Sequence, residues 1–383
     1  MDLLEKNPDR LTPVGLLLGL LLAVPLVSPL GAATNPAPDR GKPAPDRGKP
    51  APDQELDQEL SSEPEPHRPK RGMTVSCPTW GPIWGSPSMA KTLAELKTLG
   101  VDWVSIHPYA GVRRDGTVRV RPAAQLDFLA KAVELAEQAD IELFWKPHLA
   151  YWGSFEWRGS IAFGDDRAAW RRFFDGYREF IVDQATFAQA HDIPLFAVGL
   201  EYENTTHHEA EWRRIIAAVR QVYKGRLTYS ANWDRLHDVP FWDALDVISV
   251  QGYFPLAQAP DTHPDAEAIE KRWDGPIREL RALHERFSKP VLFAEIGYDL
   301  SPKAATEPWL NASRDNEANR SLRRRLMDVA VQRLEQEPFI EGMFWWKWIP
   351  DASPSRDFAM QHPDAKDALR RAWASSGGAH SQN

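Results

Sequence analysis

Glu201 closes the run AVGLE, and Glu295 closes the run VLFAE. A carboxylate at the tip of an apolar run is costly unless something compensates it, and chemistry is one reason to bear that cost. Two carboxyl groups facing one hollow can split an acetal: one gives a proton to the leaving oxygen, and the other attacks the anomeric carbon or activates water. Residues suited to holding a sugar stand at the ends of other apolar runs. Trp80 follows one, His107 another, and Lys146, His148 and Trp152 a third. Asn232, Tyr253, Trp346 and Trp348 end three more. Aromatic faces with a few placed polar groups commonly line such pockets. Tyr253 is the expected hydrogen-bond partner of Glu295. Lys146 and His148 share parity on an extended strand, so both can face the hollow. Trp346 and Trp348 share parity too, with Trp346 the first choice for the floor of the site. Glu203 points the same way as Glu201 and is its rival as the acid.

These residues need a frame that gathers run ends at one place. Eight short apolar runs alternate with helical patterns: Met73–Cys77, Asp102–His107, Glu142–Lys146, Leu195–Leu200, Leu227–Ala231, Asp246–Gln251, Pro290–Ala294 and Gly342–Trp348. Alternation of this kind predicts parallel strands joined by helices. The fifth helix, near Val239–Ala244, is short. Eight such units match an α/β fold of the (β/α)8 TIM barrel type, whose sites lie at the C-terminal strand ends. An open doubly wound sheet is the alternative, but neither a G-x-G-x-x-G nor a Walker sequence is present.

Six stretches together carry a family resemblance: WKPHL (145–149), VGLEYENT (198–205), LTYSANWD (227–234), DVISVQGYFPL (246–256), KPVLFAEIGY (289–298) and FWWKW (344–348). In order, they resemble the retaining (β/α)8 glycosidases, and within that clan glycoside hydrolase family 113, the β-mannanases. The resemblance implies Glu201 as acid/base, Glu295 as nucleophile, a β-1,4-linked hexose chain of the mannan type as substrate, and no metal or other cofactor. Most of the clan has Asn immediately before the strand-4 glutamate. Leu200 stands there instead, so contact with the substrate 2-hydroxyl falls to Asn232 or another group. Leu200 also motivates an alternative, a surface-tethered carbohydrate-binding pseudoenzyme. The catalytic reading requires both carboxyl groups to open on one water-accessible hollow. A glutamate turned inward and clamped by a base would end it. Alanine at either glutamate is expected to abolish hydrolysis and leave thermal unfolding nearly unchanged.

Composition bounds the rest. The chain has 383 residues, 43% of them hydrophobic, and a formal charge of −8. It lacks the basic footprint of a nucleic-acid binder, so no nucleic-acid partner is expected. The single cysteine, Cys77, excludes an intrachain disulfide. All 40 aromatic residues (16 Trp, 16 Phe, 8 Tyr) lie beyond residue 71, which divides a leader from a folded body. Residues 1–33 contain the apolar run 14–31, read as a signal peptide or a membrane tether, and so imply export. Residues 34–71 hold a PAPDRGK repeat and nine prolines, the composition of a disordered spacer. The barrel is expected over 72–377, followed by a disordered tail at 378–383, and a monomer is expected to act on a polysaccharide or oligosaccharide.

Overall fold

Every residue of Leu195–Leu200, Val247–Gln251 and Val291–Ile296 is buried. Strands of that kind belong in a parallel sheet covered on both faces. The computed structural model describes residues 69–259, 262–353 and 358–378. It closes eight parallel strands into a barrel: β1 (Lys70–Val75), β2 (Trp103–Ile106), β3 (Glu142–Trp145), β4 (Leu195–Leu200), β5 (Arg226–Asn232), β6 (Val247–Gln251), β7 (Val291–Ile296) and β8 (Ile340–Trp348). β1 meets β8 to complete the ring. Phe144, Leu195, Ala197, Val247, Leu292, Ala294 and Phe344 form a small inner cluster. The larger core lies between the strands and the surrounding helices.

Among the described residues, seven helices surround the barrel: α1 (Pro87–Thr98), α2 (Asp127–Gln138), α3 (Arg167–Ala190), α4 (Glu209–Val222), α5 (Ala266–Phe287), α6 (Glu317–Glu335) and α7 (Pro363–Gly378). Side-chain caps start three of them: Asp166 accepts from the first-turn amides of α3, Asp265 from α5 and Asn316 from α6. Between β5 and β6 the short helix resolves into two 3-10 turns, Leu236–Asp238 and Trp242–Ala244.

Two differences from the expected layout bear on the site. β1 opens at Lys70, so Lys70 and Arg71, assigned to the spacer, are strand residues paired with Gly342 and Met343. A further three-stranded sheet, ordered Val118–Arg119, Tyr109–Val112 and His148–Ala150, sits beside the barrel mouth. Its strands have four residues or fewer, and Pro108 and Pro147 separate two of them from β2 and β3. No periodic pattern can show in segments that short. The apolar run 14–31, the leader, the spacer up to residue 68 and the tail beyond 378 lie outside the described residues. Among the described residues, no helix is long and apolar enough to cross a membrane.

Candidate active site

Alternation along each strand decides what looks into the barrel. Leu195 and Ala197 of β4 pack inside, but between Ala197 and Leu200 β4 advances three residues while β5 advances two, and Glu201 then turns into the left-handed region, so it is this turn and not parity that places Glu201. Glu295 is placed by a bulge as well. Leu292 and Ala294 are the inner residues of β7, so strict alternation would send Glu295 outward with Phe293. Between Phe293 and Glu295, however, β7 advances two residues while β6 advances one, from Val250 to Gln251. That bulge re-aims the side chain, a recurrent device beside active sites. Both glutamates then line one cavity of about 640 Å3, together with Arg158, Asn232, Tyr253 and Trp346.

Glu295 is held by two donors. Lys146 Nζ lies 2.5 Å from Oε1, and the Tyr253 hydroxyl donates to Oε2 at 3.0 Å. Lys146 is fully buried, donates also to the Ala294 carbonyl at 3.2 Å, and lies 5.8 Å from the centre of the Trp346 ring. Burial lowers the Lys146 pKa, and the Glu295 charge opposes that shift. Glu295 is thus clamped by a base, yet it is not turned inward, because it lines the cavity. A carboxylate has roughly four lone-pair sites, so two donors leave electron pairs free to react.

Glu201 stands in a different environment. It ends β4 in the left-handed region, with φ 52°, a conformation that costs a non-glycine residue about 1–3 kcal/mol. Its amide donates to the Ser230 carbonyl at 2.9 Å, and the Tyr202 amide donates to the Tyr229 hydroxyl at 2.9 Å. Both bonds tie the turn to β5. Burial pushes the Glu201 carboxyl up to about 7; Arg158, with Nη1 3.3 Å from Oε2, pulls it down, and the negative charge of Glu295 adds to the rise. Glu203, the rival acid, accepts from Asn232 Nδ2 at 2.6 Å and lies 3.7 Å from Arg235 Nε. Those partners occupy Glu203, and the same bond orients the Asn232 amide.

Beneath the cavity is a layer of neutral imidazoles. His148 Nδ1 lies 3.2 Å from Arg158 Nη1. The His107 and His148 rings stack with centroids 4.5 Å apart. Burial holds both pKa values well below 6.5; nearby Lys146 and Arg158 add to that for His107, and Arg158, His107 and Lys146 for His148. The upper wall is aromatic. Trp233 and Trp309 stack 5.9 Å apart, and Trp157 and Phe358 also line the cavity.

Two carboxyl groups at strand ends 4 and 7, Glu295 buried and Glu201 half-buried, share one aromatic cavity of a closed eight-stranded barrel. The profile of Glycoside Hydrolase Family 113 matches residues 74–364. The chain belongs to that family. Among solved structures, this family 113 chain is similar to a GH113 β-mannanase from Alicyclobacillus acidocaldarius in complex with ManMIm: 25% identity over 80% of this chain and 97% of that one, TM-score 0.69. A GH113 β-1,4-mannanase, 22% identical over 80% and 99%, has a TM-score of 0.68. A β-glucuronidase from Faecalibacterium prausnitzii shares the fold at 13% identity over 80% and 49%, TM-score 0.55. No curated protein matches the chain by sequence. Membership makes the family 113 chain a glycoside hydrolase acting on carbohydrate, and the pseudoenzyme alternative falls away.

Within the family 113 barrel, Glu201, Asn232, Tyr253, Glu295 and Trp346 line the cavity, while Lys146, His107 and His148 are fully buried outside its lining, Lys146 reaching it through Glu295 and His148 through Arg158. Three expected residues do not join them. Trp348 is buried in the core, because β8 advances three residues from Trp345 while β1 advances two from Met73 to Val75; this bulge breaks the parity shared with Trp346. Trp80 and Trp152 are 49% and 56% exposed and line a separate groove on the small sheet. Sequence reasoning missed Arg158, Trp157 and Trp309. Arg158 opens a three-residue 3-10 turn that Trp157 caps, and Trp309 lies in a turn, segments too short for periodicity to mark a side chain as facing the site.

Proposed function

We propose that the chain hydrolyses β-1,4-linked mannan with retention, by double displacement. Glu295 attacks the anomeric carbon as the C–O bond to the leaving sugar breaks, and Glu201 passes its proton to that oxygen. Glu201 then takes a proton from water, whose oxygen displaces Glu295 and restores the enzyme. The observation that carries this reading is the contrast between Glu201 and Glu295, two of the four carboxyl groups that line the cavity. Glu201 is pushed up to about 7, as an acid/base near neutral pH needs. Glu295 is fixed in the cavity by Lys146 Nζ at 2.5 Å and the Tyr253 hydroxyl at 3.0 Å, the rigid placement a nucleophile needs. The mannan assignment is supported by the similarity to GH113 β-mannanases. Export, proposed from the run 14–31, would place the barrel outside the cytoplasm with its substrate.

Digestion of a panel of β-mannans, glucomannans and β-glucans, with mass and anomer analysis of the first products, tests this. Mannan cleaved to β-configured products is the expected result, with a Glu295→Gln blank inactive. Products of inverted configuration, or a blank that keeps most of the turnover, would overturn the roles assigned to the two glutamates.

A further inference from the structure

Trp80 and Trp152 raise a question the catalytic cavity does not answer. Four large apolar side chains are exposed among the described residues: Trp157 and Trp309 at the cavity, Trp80 and Trp152 on the small sheet. Trp80 packs edge-on to Trp152 at 6.2 Å and to Tyr109 at 6.1 Å, and Tyr109 lies 5.5 Å from Trp152. They frame a groove of about 540 Å3. Register explains what else faces it. Tyr109 pairs with His148, and Gly111 with both Ala150 and Arg119, so these side chains share one face of the sheet. Gly111 leaves the floor low between Arg119 and Trp80. Arg113 and Arg121 complete the lining, which holds no acidic residue.

Three exposed arginines in one groove are out of keeping with a chain of charge −8. None of the three forms an ion pair with a described residue. Asp115, at the hairpin tip, lies outside the lining; it accepts from the Thr117 amide, and its charge is shared between Arg172 and Arg113. The support is fixed. Arg172 of α3 donates twice to the Asp115 carbonyl, at 2.9 and 2.7 Å. Gly116, at φ 86°, packs so close to Ala169 that a Cβ there would lie 2.2 Å from its carbonyl oxygen. The groove also connects to the catalytic machinery. Tyr109 contacts the His148 ring at 5.8 Å, His148 meets Arg158, and Arg158 meets Glu201.

We infer that this groove is a distal subsite for a saccharide unit bearing an anionic group, carboxylate or phosphate, stacked on Trp80 and Trp152 and held by Arg113, Arg119 and Arg121. Guanidinium forks match both anions, and indole faces suit a sugar ring. The inference rests on the proposed glycosidase reading, since it assigns the unit to the same glycan that the two glutamates cleave. It favours an acid-substituted hexose chain over a neutral one.

The full chain carrying Glu295→Gln is titrated calorimetrically with three β-linked oligosaccharides of equal length: one uronate-bearing, its carboxyl-reduced neutral form, and one phosphorylated. Binding about tenfold tighter for either anionic form at low salt is expected, and the arm that gives it identifies the group. The preference should shrink as salt screens the charges. The triple variant Arg113→Ala/Arg119→Ala/Arg121→Ala should lose the preference. Trp80→Ala/Trp152→Ala should weaken neutral and anionic forms alike. All five residues are exposed, and thermal unfolding checks that each variant is folded. Equal affinity for the three oligosaccharides, or a preference that survives in the triple variant, would overturn the subsite. The wild-type chain is assayed in parallel on neutral mannan. Cleavage there with no anionic preference sinks the subsite alone, whereas anionic preference with no cleavage of any β-linked chain sinks the glycosidase reading alone.

Discussion

Glu201 meets its neighbours at unequal cost. Burial raises its pKa, Arg158 lowers it, and Glu295 raises it again, with a result of about 7. The side chain therefore holds its proton below that value and loses it as pH rises through it. Since the first step needs the proton, kcat/KM should fall on the alkaline side with a midpoint near about 7. Glu201→Gln should cut kcat/KM by about 10²–10⁴-fold on natural glycan and flatten the alkaline limb. A limb that persists unchanged in Glu201→Gln would assign it to another group. Glu295 behaves differently when removed. Lys146 is fully buried, and Glu295→Ala would leave its charge uncompensated, at a cost on the order of 3–5 kcal/mol. The lysine escapes by losing its proton, the direction in which burial already drives it. A base with a depressed folded pKa loses stability as pH falls. The variant should thus unfold at a lower temperature at about pH 6 than at about pH 9, relative to wild type. Thermal scans at the two pH values decide it; an equal Tm difference at both would show that Lys146 is solvated. The expectation that alanine leaves unfolding nearly unchanged holds no longer for this position.

At the scale of elements, the strand ends were legible because buried parallel strands read as unbroken apolar runs, and each ran out at a polar residue. Glu201 and Glu295 stood out that way. What alternation could not show is where it stops. One bulge turns Glu295 toward the cavity and another takes Trp348 out of it. Both depend on how neighbouring strands pair, which a single run does not encode. Residues of isolated short turns, such as Arg158, lack even that signal. The bulged ends of β7 and β8 also pack tightly. A Cβ on Gly297 would lie 2.5 Å from the Trp346 carbonyl oxygen, which is backbone and cannot swing aside. Gly297→Ala should therefore displace Trp346, cost about 1–3 kcal/mol and lower kcat/KM with it. A variant with wild-type Tm and turnover would mean that β8 gives way more easily than its packing implies.

For the whole molecule, ring closure is the step that matters. The join between β1 and β8 is made in part by residues assigned from composition to the spacer. Lys70 pairs with Gly342 and sits 3.4 Å from Glu341, and the Arg71 amide donates to Asp102 at 2.8 Å. Composition failed here because the two residues are basic and follow a proline-rich stretch, while their backbone belongs to the sheet. A chain beginning at residue 69 should keep the Tm and activity of the full sequence. One beginning at residue 73 should unfold at a lower temperature. Equal melting of both truncations would show that these two residues add nothing to closure.

The gap between β5 and β6, where two 3-10 turns replace a helix, sets where the outer shell first admits solvent. Such turns have poorer bond geometry than a helix; Ala244 and Leu245 each donate only three residues back, to Phe241 and Trp242. Deuterium should label those two amides well before the central amides of α3 or α6. Slower labelling there than in either helix would mean that the indole of Trp242, bonded to the Leu236 carbonyl, seals that flank as firmly as a helix would.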